Sequence, residues 1–383
     1  MKTLAFVLSV VIALVSIVAF LFQDEISTAL ASSSVVASAL GYIPAGILEK
    51  LPFVVGKELD TSAEALSSEG TSFPWDHEPL IASDMSAPRA IRKVFKAVEQ
   101  AEGAGARVRR SVGTAHLKNF SPFLMCDHFS ISPGAGFPDH PHRGQETITY
   151  LLSGAVDHED FTGSKGTIEA GSLQFMTAGR GIVHAEMPSQ NHDTNVGIQL
   201  WVDLPKHLKS CEPRYRDLHS SEIPVAKSDD EKVEVKVISG QSFGVDSVKD
   251  LAYTPVWILD FNIQPGGSVA QPLPKGWNSF LYTLEGETTF GVGSGTQKVG
   301  QFHNLVWDQE GEIVNASVDA DAKEAARFIL IAGQPMDHPI VQYGPFVVTS
   351  RDEVMQAFMD YQTHSNGFEK AAGWESKIGK SMA

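Results

Sequence analysis

The sequence predicts an all-β protein built from two tandem barrels of antiparallel strands. Three observations carry this. Two segments, 149–154 and 281–286, share a strand with a Tyr-x-Leu core closed by a glycine, Tyr282 lying 132 residues after Tyr150. Short apolar or alternating runs at 147–152, 197–202, 256–263 and 327–332 are punctuated by Gly, Pro and Asp, the signature of strands and turns. The chain is also rich in turn formers, with 33 Gly and 20 Pro in 383 residues.

Along the chain, residues 4–22 are apolar and uncharged, with Lys2 before them and Asp24 and Glu25 after. Such a stretch inserts into a bilayer as a signal anchor or a cleavable signal. Residues 1–40 are therefore read as a targeting segment. The charge asymmetry sends the rest of the chain across the membrane, into the secretory route and the ER, with onward import to a plastid as a further destination, in preference to cytoplasm or nucleus. Residues 41–88 carry scattered Ser, Glu, Gly and Pro without a sustained period and read as a flexible linker. The first barrel is placed at 89–215 and the second at 216–383. Helical patterns are expected at 91–99, 352–361 and 367–378, packed outside the barrels.

With 30 basic and 46 acidic residues, the formal charge is −16, which argues against direct nucleic-acid binding. Cys126 and Cys211 are too few and too far apart for a disulfide scaffold or a thiolate zinc site.

The chemistry gathers in two stretches of the first repeat. In the first, Gly134-Ala135-Gly136-Phe137-Pro138-Asp139-His140-Pro141-His142-Arg143-Gly144-Gln145-Glu146, His140 and His142 share one face of an extended strand. Glu146 returns to that face if the strand stays regular. The second runs from Gly179 through His184 and Glu186 to Pro188 and repeats the two-residue spacing. Three neutral imidazoles and a carboxylate suit a divalent transition ion with positions left open. A lone His-x-His is weak, whereas two such stretches inside one β unit are specific. His158 is a competing ligand, read as part of an exposed turn after Gly154. His192, His207 and His219 lack partners at ligand spacing and are assigned to the surface. At the repeat offset, Pro272, Pro274 and Asn278 stand where His140, His142 and Glu146 would be, so one metal per chain is expected.

Longer motifs connect these stretches. Gly136 to Gly144, His158-Glu159-Asp160-Phe161, Met176 to Pro188 and Gln199-Leu200-Trp201-Val202-Asp203-Leu204-Pro205 together resemble the pirin family of bicupins, as do Glu102 to Arg110, Gly344 to Val347, Asn366 to Glu369 and Trp374 to Gly379. The resemblance covers nearly all of the chain after residue 90. It implies two cupin barrels (double-stranded β-helix, jelly-roll) with a few peripheral and C-terminal helices. It also implies one Fe(II) per chain on His140, His142, His184 and Glu186, with Glu146 outside the ligand set. The implied activity is that of a dioxygenase joining O2 to a small aromatic, quercetin-type flavonol, in which Glu186 leaves its ligand position to take the substrate hydroxyl proton. The alternative is a non-enzymatic, iron-dependent redox-sensing binding protein or transcriptional co-regulator with a protein partner. A sugar-phosphate isomerase lacks the matching motifs. A monomer is expected. The N-terminal extension departs from the family, whose members are commonly cytosolic or nuclear, and weighs against a nuclear partner.

Overall fold

Two seven-stranded antiparallel sheets meet face to face in the computed structural model, which describes residues 87–382. The first runs Arg214–Leu218, Leu173–Thr177, Gln145–Ser153, Asn195–Asp203, Phe123–Ile131, Ala106–Val112, Glu99–Glu102. The second runs Ile91–Lys96, His303–Trp307, Asn278–Glu285, Ala326–Gly333, Val256–Ile263, Val233–Ser239, Val225–Lys227. The two repeated strands sit at corresponding central positions, Gln145–Ser153 in one sheet and Asn278–Glu285 in the other. A four-stranded sheet closes each barrel. In the first it is Phe137–His142, Ile182–Pro188, Ala155–Asp160 and Lys165–Glu169, and in the second Ser268–Pro272, Ile313–Ser317, Thr288–Phe290 and Gln297–Val299.

Alternation along the central strands sorts the side chains. Ile148 and Tyr150 point out of the first barrel and join Ile198, Leu200, Val256, Ile258, Phe280, Ile329 and Ile331 in a shared apolar seam. Thr147 and Thr149 turn inward. In the second barrel Trp257, Leu259, Phe261, Leu281 and Phe328 fill the interior. Each large apolar side chain buried in the seam contributes about 1.5–3 kcal/mol, so the barrels form a joint core. Tyr150 adds a buried bond across it, donating to Asp260 Oδ2 at 2.7 Å.

The chain ends cross over. Residues 91–99, expected as a helix, form strand Ile91–Lys96 and the start of strand Glu99–Glu102, and Ile91–Lys96 pairs with His303–Trp307 of the second barrel. The spacing of Ile91, Val94 and Phe95 imitates a helix because a bulge between Ile91 and Lys93 shifts the phase. Ile91 and Val94 thereby reach the same core. At the other end, helix Arg351–Thr363 occupies the expected place, capped by Ser350 and Glu353 acting reciprocally. It packs on the first barrel, with Ala357, Phe346 and Phe368 against Phe161, Ile182 and Val183. The helix expected at 367–378 is absent. Gly367 and Gly373 take positive φ, leaving a single turn at Glu369–Ala371. Among the described residues no helix is long and apolar enough to cross a membrane. The targeting segment at 1–40 and the linker up to residue 86 lie outside the described residues.

Candidate metal centre

Strand Phe137–His142 pairs with Ile182–Pro188 so that His140 faces His184 across the ladder and His142 faces Ile182. A bulge between His184 and Glu186 then shifts Glu186 opposite Phe137. The donor atoms of His140, His142 and His184 lie within 4.8 Å of one another. His140 and His184 present Nε2 to Nε2 at 3.0 Å. His142 and His184 are buried, while His140 is partly exposed and forms the open side. The Trp201 ring stands edge-on to His142, 5.0 Å between centroids.

Neighbouring groups set the tautomers. His140 Nδ1 donates to the Pro138 carbonyl at 2.9 Å, which leaves the Nε2 lone pair for a cation. The Gln145 amide lies 2.7 Å from His142 Nδ1. The structure sets Gln145 Nε2 there; with the amide turned so that its Oε1, otherwise buried without a partner, faces the ring, it accepts the Nδ1 proton and leaves His142 Nε2, also without a protein partner, free for a cation. Burial holds all three imidazoles below the usual histidine range, and for His142 and His184 the neighbouring imidazoles add to it. Neutral nitrogens of this kind, one of them an unsatisfied buried atom, fit a divalent transition ion.

Glu186 is buried beside the trio and outside its 4.8 Å group. Its Oε1 accepts from Thr149 Oγ1 at 3.0 Å and its Oε2 from Gln199 Nε2 at 3.1 Å. Burial outweighs both bonds and pushes the carboxyl up to about 7.

Glu146 faces the opposite way. Arg143 and Gly144 interrupt the strand, and Gly144 has φ +75, where a Cβ would collide with the Val347 carbonyl. The break reverses the alternation, so Gln145 looks into the barrel and Glu146 into the seam. There its carboxylate accepts from Thr177 Oγ1 at 2.7 Å and from the backbone N–H groups of Tyr253 and Thr254 at 2.9 and 3.0 Å. His158 also departs from its expected place. Gly154 makes the turn by itself, strand Ala155–Asp160 begins at once, and His158 is buried opposite Glu186. His192, His207 and His219 are exposed. Pro272 ends a strand opposite Ile313, and Asn278 donates to the Ser121 carbonyl. Among the described residues the histidine trio is the cluster of this kind. Both cysteines are free. The sequence places Gln145, Thr149, Gln199 and Trp201 in its motifs and assigns them no role at the site. Their signal was the inward parity of strands Gln145–Ser153 and Asn195–Asp203.

Paired jelly-roll barrels, with a three-histidine cluster in the first, define a bicupin. The chain belongs to the pirin family: the Pirin model matches residues 105–202 and the Pirin C-terminal cupin domain model residues 258–367. A pirin-like protein of Solanum lycopersicum is 48% identical over 78% of this chain and 99% of its own length. The Homo sapiens pirin is 47% identical over 73% of this chain and 95% of its own. Among solved structures, a quercetin 2,3-dioxygenase from Acinetobacter baumannii superposes with a TM-score of 0.66 at 28% identity, covering 73% of this chain and 98% of that one.

Proposed function

We propose that the chain is an Fe(II)-dependent dioxygenase of quercetin-type flavonols, with His140, His142 and His184 holding the ion and Glu186, the fourth ligand that the family resemblance implies, completing the set and acting beside it. The observation that carries this reading is the convergence of three neutral imidazoles next to a buried carboxyl. Likeness to the Acinetobacter quercetin 2,3-dioxygenase supports the substrate class. A bound ferrous ion, held by these residues, would supply the Lewis acidity and the O2 binding that the reaction needs. The flavonol provides the electrons and O2 accepts them, so no further reductant is called for.

The protein's own part is proton handling and placement. Glu186 takes the proton of the flavonol hydroxyl, a task suited to a buried carboxylate beside the histidine cluster. Thr149 and Gln199 orient its two oxygens, and Trp201 walls the histidines on the side of the large sheet. Oxygen uptake by the anaerobically iron-loaded protein on addition of quercetin tests the reading. Uptake equimolar with flavonol consumed, and lost in His184→Ala, is expected. Iron-loaded protein that leaves O2 and a flavonol panel untouched overturns it. The apolar stretch 4–22 extends the proposal to entry into the secretory route, which a fluorescent fusion to the full chain tests by labelling the ER or a plastid rather than the cytosol and nucleus.

A further inference from the structure

The polar interior of the first barrel continues past the metal cluster. Strand Ala155–Asp160 pairs with the other edge of Ile182–Pro188, so that Asp160 faces His184 and His158 faces Glu186. From the opposite sheet the Tyr215 ring stacks on His158, 5.9 Å between centroids and 19° between planes.

The far sides of this group are satisfied. Gln174 Nε2 lies 2.9 Å from His158 Nε2 and donates to Asp217 Oδ1 at 3.0 Å. Asp160 Oδ1 accepts from the backbone N–H groups of Thr162 and Ser164 and from the Thr162 hydroxyl. Three further polar atoms of the group are different. His158 Nδ1, Asp160 Oδ2 and the Tyr215 hydroxyl are buried without a protein hydrogen-bond partner. His158 and Asp160 are only 3% and 2% exposed. Burial, then the Asp160 carboxylate that the hydroxyl approaches without a well-formed bond, then Glu186, hold the Tyr215 phenol well above its ordinary value, so it remains a donor. A buried polar group left unpaired costs about 1–3 kcal/mol, and three at one place call for a polar occupant. A donor hydroxyl beside an acceptor carboxylate matches the O–H of a phenol, which both accepts and donates.

We propose that Tyr215, Asp160 and His158 form a specificity subsite that reads a phenolic hydroxyl of the substrate held at the histidine cluster. The inference rests on the flavonol reading for its substrate and adds that hydroxylation of the pendant ring is selected. Tyr215 and Asp160 are specificity residues here, and metal binding is left to the trio.

Equilibrium binding to the iron-loaded protein under argon, where turnover is blocked, tests it. Quercetin is compared with a flavonol whose pendant ring carries no hydroxyl, in wild type, Tyr215→Phe and Asp160→Asn. The wild type is expected to prefer quercetin, and each variant to reduce that preference about tenfold with iron content unchanged. Preference that survives in both variants overturns the subsite, as does equal weakening of both flavonols, which marks a merely structural role. Under air the same preference is read as the ratio of kcat/KM values. Selective binding without turnover overturns the dioxygenase reading and leaves the subsite standing. Failure of the wild type to bind either flavonol overturns the subsite.

Discussion

His184 stands directly across the antiparallel ladder from His140, and their Nε2 atoms approach to 3.0 Å. Two imidazole lone pairs at that separation need a proton or a cation between them. The third nitrogen, His142 Nε2, depends on Gln145 for its orientation and tautomer. Replacing Gln145 with Leu is therefore expected to weaken metal binding roughly 10–100-fold while the histidines remain. Competition against a chelator of known affinity measures this, and unchanged affinity contradicts the orienting role.

Glu146 has the opposite character. Removing its side chain in Glu146→Ala strands two backbone N–H groups in the seam, at a cost of roughly 2–4 kcal/mol. Denaturant unfolding should show that loss, while metal content stays at the wild-type level. Metal loss without destabilisation would place Glu146 at the ion and refute the register described above.

The Glu186 carboxyl links pH to stability. Its value in the folded, metal-free protein is raised to about 7, so the folded state binds the proton more tightly than the unfolded one. Stability from this group is present below the ordinary glutamate range, about 4.3, and is lost as pH rises through about 7. Metal-free wild type should thus lose stability from Glu186 across that window, and Glu186→Gln should remove this component of the slope. Equal slopes in the two proteins would contradict the buried, protonated carboxyl.

Asp360 titrates in the other direction. Burial opposes its charge, yet Arg143, Asn366 and Gln356 outweigh burial and hold it below the usual aspartate range. Its contribution is present above the ordinary value, about 3.9, and is lost as pH falls through the lower folded value. The clamp from Arg143 Nη1 to Asp360 Oδ2, 2.7 Å, should thus keep the C-terminal helix on the first barrel down to about pH 4. Trp374 packs in the same cluster, and its fluorescence should stay constant over that range in wild type. In Asp360→Asn the signal should change at neutral pH.

Much of this was legible in the residues. The two His-containing stretches could be read because alternation in a strand needs only a spacing of two, and the repeated Tyr-x-Leu strands because both occupy the same place in their sheets. Glu146 was ambiguous for a local reason: one glycine at 144 reverses the parity after it, so Gln145 takes the inward place. The helix at 91–99 was misread because a bulge brings side chains three apart onto one face. His158 was read as exposed because a one-glycine turn at 154 leaves no room for a loop. The seam between the barrels, including the Tyr150 bond to Asp260, joins residues 110 apart, and no local pattern announces such a contact.

Purified protein reconstituted with Fe(II) under argon, desalted and analysed by elemental mass spectrometry, is expected to hold one iron per chain. His140→Ala, His142→Ala and His184→Ala should each retain little iron while keeping the wild-type circular dichroism, since barrels with apolar cores of this size do not need the ion to fold. Full iron occupancy in the His184→Ala protein would contradict the assignment.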